Sequence, residues 1–147
     1  MINGWPGWWS KIETFLIQGP VLYMDLDTTV IGDLSPLLTV AETHKFVALR
    51  DFNPSQRQMG SGLMAWSGDM RRIYDEFAAA PAAHMKRCTT SQAWGDQGFI
   101  EPLTLDREYW QDLLPGAVVS WKKHCGSGVP EGARVICFHG KPRPWEI

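Results

Sequence analysis

The sequence predicts an α/β fold in which a mixed sheet is flanked by helices, in one domain over residues 1–147. First, short apolar runs alternate along the chain with segments that have the helical period of about 3.6 residues. Second, hydrophobic residues make up 44% of the chain and charged residues 20%, which is typical of a globular protein. Third, a chain of 147 residues can bury roughly 70% of its unfolded surface, which is enough for a core.

The first half of the chain contains one predicted helix and three predicted strands. A short helix over residues 8–16 ends before Pro20, because proline cannot continue a helix and disfavours it in the preceding residue. The apolar run 21–27 ends in acidic residues, which predicts a buried strand with its polar groups at the carboxyl end. Residues 45–52 and 61–66 predict two further strands.

The second half of the chain contains most of the predicted helices. Asp69 is expected to cap a helix that runs to Ala80, since its carboxylate can accept backbone N–H groups at the helix start. Ile73, Tyr74 and Phe77 give this helix an apolar stripe. The other predicted elements are a weaker helical continuation to residue 86, a helix from Asp96, a helix over 107–114, and strands over 117–121 and 134–138. Because strands alternate with helices, we expect a sheet that is at least partly parallel.

The overall charge and the cysteines limit the partners and the location of the protein. Basic residues number 14 and acidic residues 16, and the net charge of −2 argues against a nucleic acid or a membrane surface as partner. No apolar stretch approaches the ~20 residues of a transmembrane segment, and the start lacks a signal-peptide pattern. Cys88, Cys125 and Cys137 have the spacing of neither a disulfide framework nor a zinc motif, so we expect a cytoplasmic protein.

Two aspartates end the first predicted strand. Asp25 and Asp27 stand at i and i+2, so on a strand both carboxylates point to the same face, where they repel each other unless a cation lies between them. Carboxylate oxygens suit Mg²⁺ or Mn²⁺, and ligands of open α/β sheets bind at the carboxyl ends of strands. In the alternative interpretation, one aspartate caps the next turn and the other faces water.

The segment 21–29 also satisfies the opening motif of haloacid-dehalogenase-like phosphatases. In that interpretation Asp25 is the nucleophile, Asp27 is an acid and base, and Mg²⁺ is bound. The motif also needs a downstream serine or threonine, a lysine, and a late acidic pair. Lys122 or Lys123 supplies the lysine, but no acidic pair follows a late apolar strand, so the match is incomplete.

A histidine, a glycine and two basic residues follow the last predicted strand. The imidazole of His139 can complete a metal shell, Gly140 permits close approach of the backbone, and Lys141 and Arg143 offer donors to phosphate oxygens. This set suits a metal-bound diphosphate. The alternative is a solvated tail in which the tryptophan of the final Pro-Trp pair packs on the domain.

Five blocks, taken in order, resemble glycosyltransferase family eight, the glycogenin-like and bacterial galactosyltransferase-like enzymes of the GT-A fold. They are a basic helix at 10–15, the D-x-D strand at 21–27, S-G-L-M at 61–64, W-G-D-Q at 94–97 and H-G-K-P-R-P-W at 139–145. The occurrence of all five blocks in the same order as in the family is far more specific than any single block. The blocks are spread over most of the chain. The resemblance implies a metal-dependent enzyme that moves a sugar from a nucleotide diphosphate, with a UDP-sugar as the expected donor, to an unknown glycan, protein or lipid acceptor.

The resemblance also implies a role for each matching residue. The residues expected to hold Mn²⁺ or Mg²⁺ are Asp25, Asp27 and His139. The residues expected to contact the diphosphate or the sugar of the donor are Lys11, Ser61, Gly62, Gly140, Lys141 and Arg143. The residues expected to face the transferred sugar and the reaction centre are Asp96 and Gln97.

The chain departs from the family pattern at three points. The strands that hold the base and ribose in the family should precede residue 1, so the resemblance implies a partial GT-A domain without that nucleotide-binding half. Gly60 stands where the family usually has asparagine, and Arg143 replaces the lysine before Pro-Trp. A non-catalytic remnant that serves as an interaction module is therefore an alternative to an active enzyme.

Three of the eight tryptophans lie close together at the start of the chain. If the upstream sheet is absent, Trp5, Trp8 and Trp9 are expected to be exposed together. A large apolar patch often marks an interface, so this interpretation predicts self-association through the amino-terminal face.

Overall fold

Two small sheets with helices packed around them form the structure, a computed structural model that describes residues 2–53 and 59–147. The predicted α/β class with mixed sheets flanked by helices is confirmed. The strands are β1 (Val21–Met24), β2 (Thr28–Val30), β3 (Phe46–Arg50), β4 (Met59–Trp66), β5 (Glu108–Tyr109), β6 (Val118–Ser120) and β7 (Val135–Cys137).

The helices are short, and they pack on the faces and ends of the two sheets. The α-helices are α1 (Ser35–Thr43), α2 (Arg71–Ala79), α3 (Pro81–Arg87), α4 (Gly95–Ile100), α5 (Trp110–Leu113) and α6 (Trp121–His124). The 3₁₀ helices are Gly7–Leu16, Glu101–Leu103 and Pro144–Glu146. Across the described ranges, no helix has the length and apolar character needed to cross a lipid bilayer.

The two sheets meet where the predicted metal residues lie. The first sheet has the strand order β1-β4-β3-β5, in which β3 and β5 are parallel and the other pairs are antiparallel. The second sheet has the order β2-β7-β6, with β6 and β7 parallel. The chain passes from the first sheet to the second through residues 25–27, and His139 follows β7, the neighbour of β2. The carboxyl-terminal motif is therefore brought to the junction that holds the two aspartates.

Two apolar clusters fix this arrangement. One cluster joins the amino-terminal 3₁₀ helix and α2 to the first sheet, and the rings of Phe15 and Trp66 in it lie 4.8 Å apart. The other cluster joins α1 and α5 to both sheets and includes Leu63, Trp110 and Val135, all fully buried. Because burial of apolar surface is the dominant favourable term in folding, these contacts hold the two sheets together.

Two predicted elements differ from the structure. The predicted strand over 21–27 ends at Met24, because the chain turns and the carbonyl oxygen of Asp25 accepts a hydrogen bond from the N–H of Thr28 at 3.0 Å. The placement of Asp25 and Asp27 on one strand was therefore wrong. The predicted helix over 107–114 contains only α5, because Glu108–Tyr109 pairs in parallel with β3.

Helix α1 was not predicted from the sequence. Its start is marked by Asp33, which accepts hydrogen bonds from the backbone N–H of Ser35 at 2.9 Å and from its hydroxyl at 2.7 Å. A proline also stands in its first turn. These are ordinary signals of a helix start, and they were available in the sequence.

The three amino-terminal tryptophans do not form one exposed patch. Trp9 is buried and its ring stacks on that of Phe77 at 5.1 Å, while half-buried Trp5 lies 4.7 Å from the same ring. Trp8 is 52% exposed. The expectation of joint exposure was wrong because the first helix packs on α2. Self-association remains a prediction.

Gly98 lets α4 lie against the backbone of residue 93. A Cβ atom at Gly98 would lie 2.6 Å from the carbonyl carbon of Ala93 and 2.8 Å from its Cα atom. Alanine is the better helix former, but its Cβ needs room that the backbone of Ala93 occupies. Gly98→Ala is therefore expected to lower the free energy of unfolding by about 1–3 kcal/mol, because the backbone at one of the two positions must move. Urea denaturation measures the change. Gly126→Ala is the matched control, because a Cβ there meets no atom within 4 Å, and equal loss in both variants would contradict the explanation.

Candidate active site

A cavity of about 370 Å³ lies at the junction of the two sheets. Nine of the eleven residues that the sequence singled out line it, although they range from residue 11 to residue 143. Its size falls within the range of about 300–1,000 Å³ that is usual for small-molecule sites. The nine predicted residues in its lining are Lys11, Asp25, Asp27, Ser61, Gly62, Asp96, Gln97, His139 and Arg143.

Lys11 contacts both Asp25, a predicted metal ligand, and Asp96, which is predicted to face the transferred sugar. Its Nζ atom lies 2.9 Å from Asp25 Oδ1, 2.8 Å from Asp96 Oδ2 and 3.0 Å from the hydroxyl of Ser61. The lysine side chain is only 4% exposed. These contacts join the amino-terminal helix, the end of β1, strand β4 and α4 through one buried ammonium group.

The charges in this cluster hold Lys11 in its protonated form. Burial by itself would lower the pKa of the Lys11 ammonium, but the negative charges of Asp96 and Asp25 outweigh burial and raise the pKa. The hydroxyl of Ser61 also donates a hydrogen bond to Asp96 Oδ2 at 2.6 Å. Asp96 is therefore fixed in orientation by a lysine and a serine, at the wall of the cavity.

The two aspartates that follow β1 have different partners. Asp25 receives a hydrogen bond from the hydroxyl of Tyr23 at 2.7 Å in addition to its contacts with Lys11. Asp27 forms an ion pair with Arg143. Burial and the negative charge of Asp25 raise the pKa of the Asp27 carboxyl, although Arg143 acts in the opposite direction. Burial therefore makes the charged form of Asp27 less favourable than that of an exposed aspartate, even with Arg143 beside it.

His139 lies in the cavity wall and interacts with the second sheet. Its Nε2 atom lies 2.7 Å from the hydroxyl of Ser120 at the end of β6, and its ring stacks on Phe52 at 5.6 Å. Burial and the positive charge of Lys122 lower the pKa of His139, which favours the neutral form of the imidazole. A neutral imidazole is the form that binds a metal ion.

The donor atoms fit a divalent cation in their chemistry, but the ligands are not grouped around one point. The two carboxylates on this cavity are ligands that Mn²⁺ and Mg²⁺ prefer, and the imidazole is a ligand of transition metals, which favours Mn²⁺ of the two. Within residues 2–53 and 59–147, however, no three histidine, cysteine or acidic side chains come together in a group that could hold a metal ion. Asp25, Asp27 and His139 instead contact Lys11, Arg143 and Ser120.

Two predicted site residues lie outside the cavity lining. The ammonium of Lys141 is bound to the carboxylate of Glu146 at 3.1 Å, and its side chain is 84% exposed. Gly140 has a positive φ of 78°, which places it in the left-handed region, and a Cβ there would lie 3.1 Å from Nζ of Lys122. This turn carries the chain back toward the cavity, where Arg143 meets Asp27.

Several residues of the site were missed in the sequence. Tyr23 stands two residues before Asp25, and although β1 ends at Met24, the predicted strand over 21–27 already placed these two side chains on one face. Ser120 meets His139 because β6 and β7 are parallel neighbours, a pairing that no local pattern reveals. Trp8 and Trp94 line the cavity beside Asp96 and Gln97.

No protein-family model matches the sequence, and no curated protein matches it. The features that bear on function are therefore the ordered motifs and the cavity in which their residues meet. Five sequence blocks between residues 10 and 145 contribute side chains to this one cavity.

Proposed function

We propose that this protein is a metal-dependent glycosyltransferase that moves a sugar from a nucleotide diphosphate, with a UDP-sugar as the leading candidate, to an acceptor. The observation that supports this most is the meeting in one cavity of nine residues drawn from five separate sequence blocks. A GT-A-like organisation belongs to the same proposal. So does a cytoplasmic location, because all three cysteines are free and buried, as expected in a reducing compartment.

The proposal assigns the metal ligands to Asp25, Asp27 and His139. When bound, Mn²⁺ or Mg²⁺ supplies positive charge to the diphosphate, whose negative charge grows as the bond to the sugar breaks. The side chain of Arg143 is 37% exposed, so it can exchange its contact with Asp27 for a contact with a phosphate oxygen. This exchange also makes the carboxylate of Asp27 available as a ligand.

Asp96 and Gln97 are the residues that the proposal places next to the transferred sugar. Asp96 is buried and held by Lys11 and Ser61, so its carboxylate needs no reorganisation when a substrate enters. Preorganised groups of this kind stabilise developing charge better than mobile ones do, and loss of one typically lowers the rate by about 10²- to 10³-fold. Lys11 acts here as a positioning residue, because its ammonium contacts carboxylates on both sides of the cavity.

Isothermal titration calorimetry of the full chain with UDP tests the proposal. We expect UDP to bind in the presence of Mn²⁺ and to bind far more weakly in EDTA, because the metal links the aspartates to the diphosphate. UMP serves as the matched control, since it lacks the second phosphate, and it is expected to bind more weakly than UDP. Absence of UDP binding in the presence of Mn²⁺ would remove the basis of the proposal.

A further inference from the structure

Two exposed tryptophans stand at the edge of the cavity beside Asp96 and Gln97. The side chain of Trp8 is 52% exposed and that of Trp94 is 47% exposed, and both line the cavity. Their ring centroids lie 6.4 Å apart with an angle of 46° between the rings. Large aromatic groups that remain exposed next to a concave site often mark a place where a ligand is bound.

The backbone holds the two indoles in position. Gly95 has a positive φ of 62°, and a Cβ there would lie only 3.0 Å from Nε1 of Trp8. The indole of Trp8 therefore approaches the backbone at a point where a side chain would displace it. Trp94 is paired with Thr89 in an antiparallel bridge, and the N–H of Gly95 donates to the carbonyl oxygen of Cys88 at 2.9 Å. An indole that is packed on a fixed backbone, as that of Trp8 is, loses less entropy when a ligand binds than a mobile side chain does.

We infer that Trp8 and Trp94 form a subsite for a sugar ring of the acceptor, so that the acceptor is a saccharide; this inference rests on the proposed function. One face of a pyranose ring presents C–H groups, which are attracted to the negative face of an indole, while its hydroxyl groups point outward from the ring edge. Asp96 and Gln97, which the proposed function assigns to the transferred sugar, line the same cavity wall, so a ring held by the indoles lies beside the donor sugar.

The position of the pair favours the acceptor over the donor. In the proposed function, the diphosphate lies against Asp25, Asp27 and Arg143, and the transferred sugar lies against Asp96 and Gln97. The two tryptophans border Asp96 and Gln97 rather than the aspartates that follow β1, since Trp94 and Gly95 directly precede Asp96 and Trp8 packs on Gly95. A ring bound there lies next to the proposed position of the transferred sugar and not against the diphosphate.

A saccharide also explains the pair better than a protein partner does. The indoles line a concave cavity that continues to the polar residues, whereas a protein interface buries a broad area of about 800 Å² on each partner. Trp5 and Trp9, which would extend such an area, pack against Phe77.

Ligand-observed NMR saturation transfer, with cellobiose, lactose, maltose and chitobiose as probes, tests the inference on the full chain with UDP and Mn²⁺. At least one disaccharide is expected to bind, and Trp8→Ala and Trp94→Ala are each expected to weaken that binding by about tenfold. Leu38→Ala is the matched control, because Leu38 is 48% exposed and does not line the cavity, and it is expected to leave the affinity unchanged. Binding of UDP with Mn²⁺ is expected to be the same in all three variants.

The outcomes separate this inference from the proposed function. If UDP binds with Mn²⁺ but no disaccharide binds, or if both alanine variants bind it as well as the unaltered chain does, the inference is wrong and the proposed function stands. If a disaccharide binds through the tryptophans but UDP does not bind, the proposed function fails and the saccharide site is supported. Concentration-dependent self-association that Trp8→Ala abolishes, without any effect on disaccharides, would assign the pair to a protein interface and overturn the inference.

Discussion

The Asp25→Asn variant is expected to turn over a UDP-sugar about 10²- to 10³-fold more slowly than the unaltered protein. The substitution removes the negative charge of one proposed metal ligand while keeping the size of the side chain. It also removes one of the two carboxylates that hold the ammonium of Lys11. Release of UDP from UDP-glucose and UDP-galactose, with Mn²⁺ and a saccharide acceptor, measures the effect.

Asp75→Asn is the control for this prediction. Asp75 forms an exposed pair with Arg71 on α2 and does not line the cavity, so its loss should leave turnover and UDP binding unchanged. Titration of Asp25→Asn with UDP and Mn²⁺ should also show much weaker binding than the control. Equal turnover by the two variants would contradict the proposed site, and covalent trapping of Asp25 by a phosphate mimic would favour the phosphatase interpretation instead.

Lys11→Met is expected to lower the free energy of unfolding by about 3–5 kcal/mol. Methionine fills a similar volume, but it leaves the carboxylates of Asp25 and Asp96 close together without the cation that lies between them. Because the pKa of Lys11 is raised in the folded protein, this contribution is fully present below its ordinary pKa of 10.5 and is lost as the pH rises above that value. The effect is therefore expected at neutral pH, where urea denaturation measures it.

Lys45→Met separates this effect from the general loss of a lysine. Lys45 pairs with Asp106 at the surface, and 66% of its side chain is exposed, so its substitution is expected to have little effect. Lys11→Arg is expected to keep part of the stability, because it keeps the charge but not the geometry. A Lys11→Met protein as stable as Lys45→Met would show that the buried ion pairs are not needed for the fold.

Apolar runs and one helical stripe predicted the elements that form much of the core. Strands β3 and β4 and helix α2 lie within a few residues of their predicted bounds, because most residues of the two strands are apolar and buried and Ile73 and Phe77 form the buried stripe of α2. The apolar run over 21–27 also looked continuous, yet β1 ends at Met24. The residues of β1 and β2, on the two sides of this turn, are buried to a similar extent, so burial does not mark the end of β1. The end of β1 is set by the pairing of β2 with β7, more than a hundred residues later in the chain.

The sequence by itself determined which chemical groups are available: a D-x-D segment, a D-Q pair, and a histidine followed by glycine and basic residues. Their contacts were decided by the tertiary structure. Packing of the first helix on α2 places Lys11 between Asp25 and Asp96, and pairing of β6 with β7 places Ser120 against His139. Local patterns encode which face of an element is apolar, but the distance between two groups on different elements depends on how all the buried faces fit together. For that reason the pairing of Trp8 with Trp94 is visible only in the folded chain.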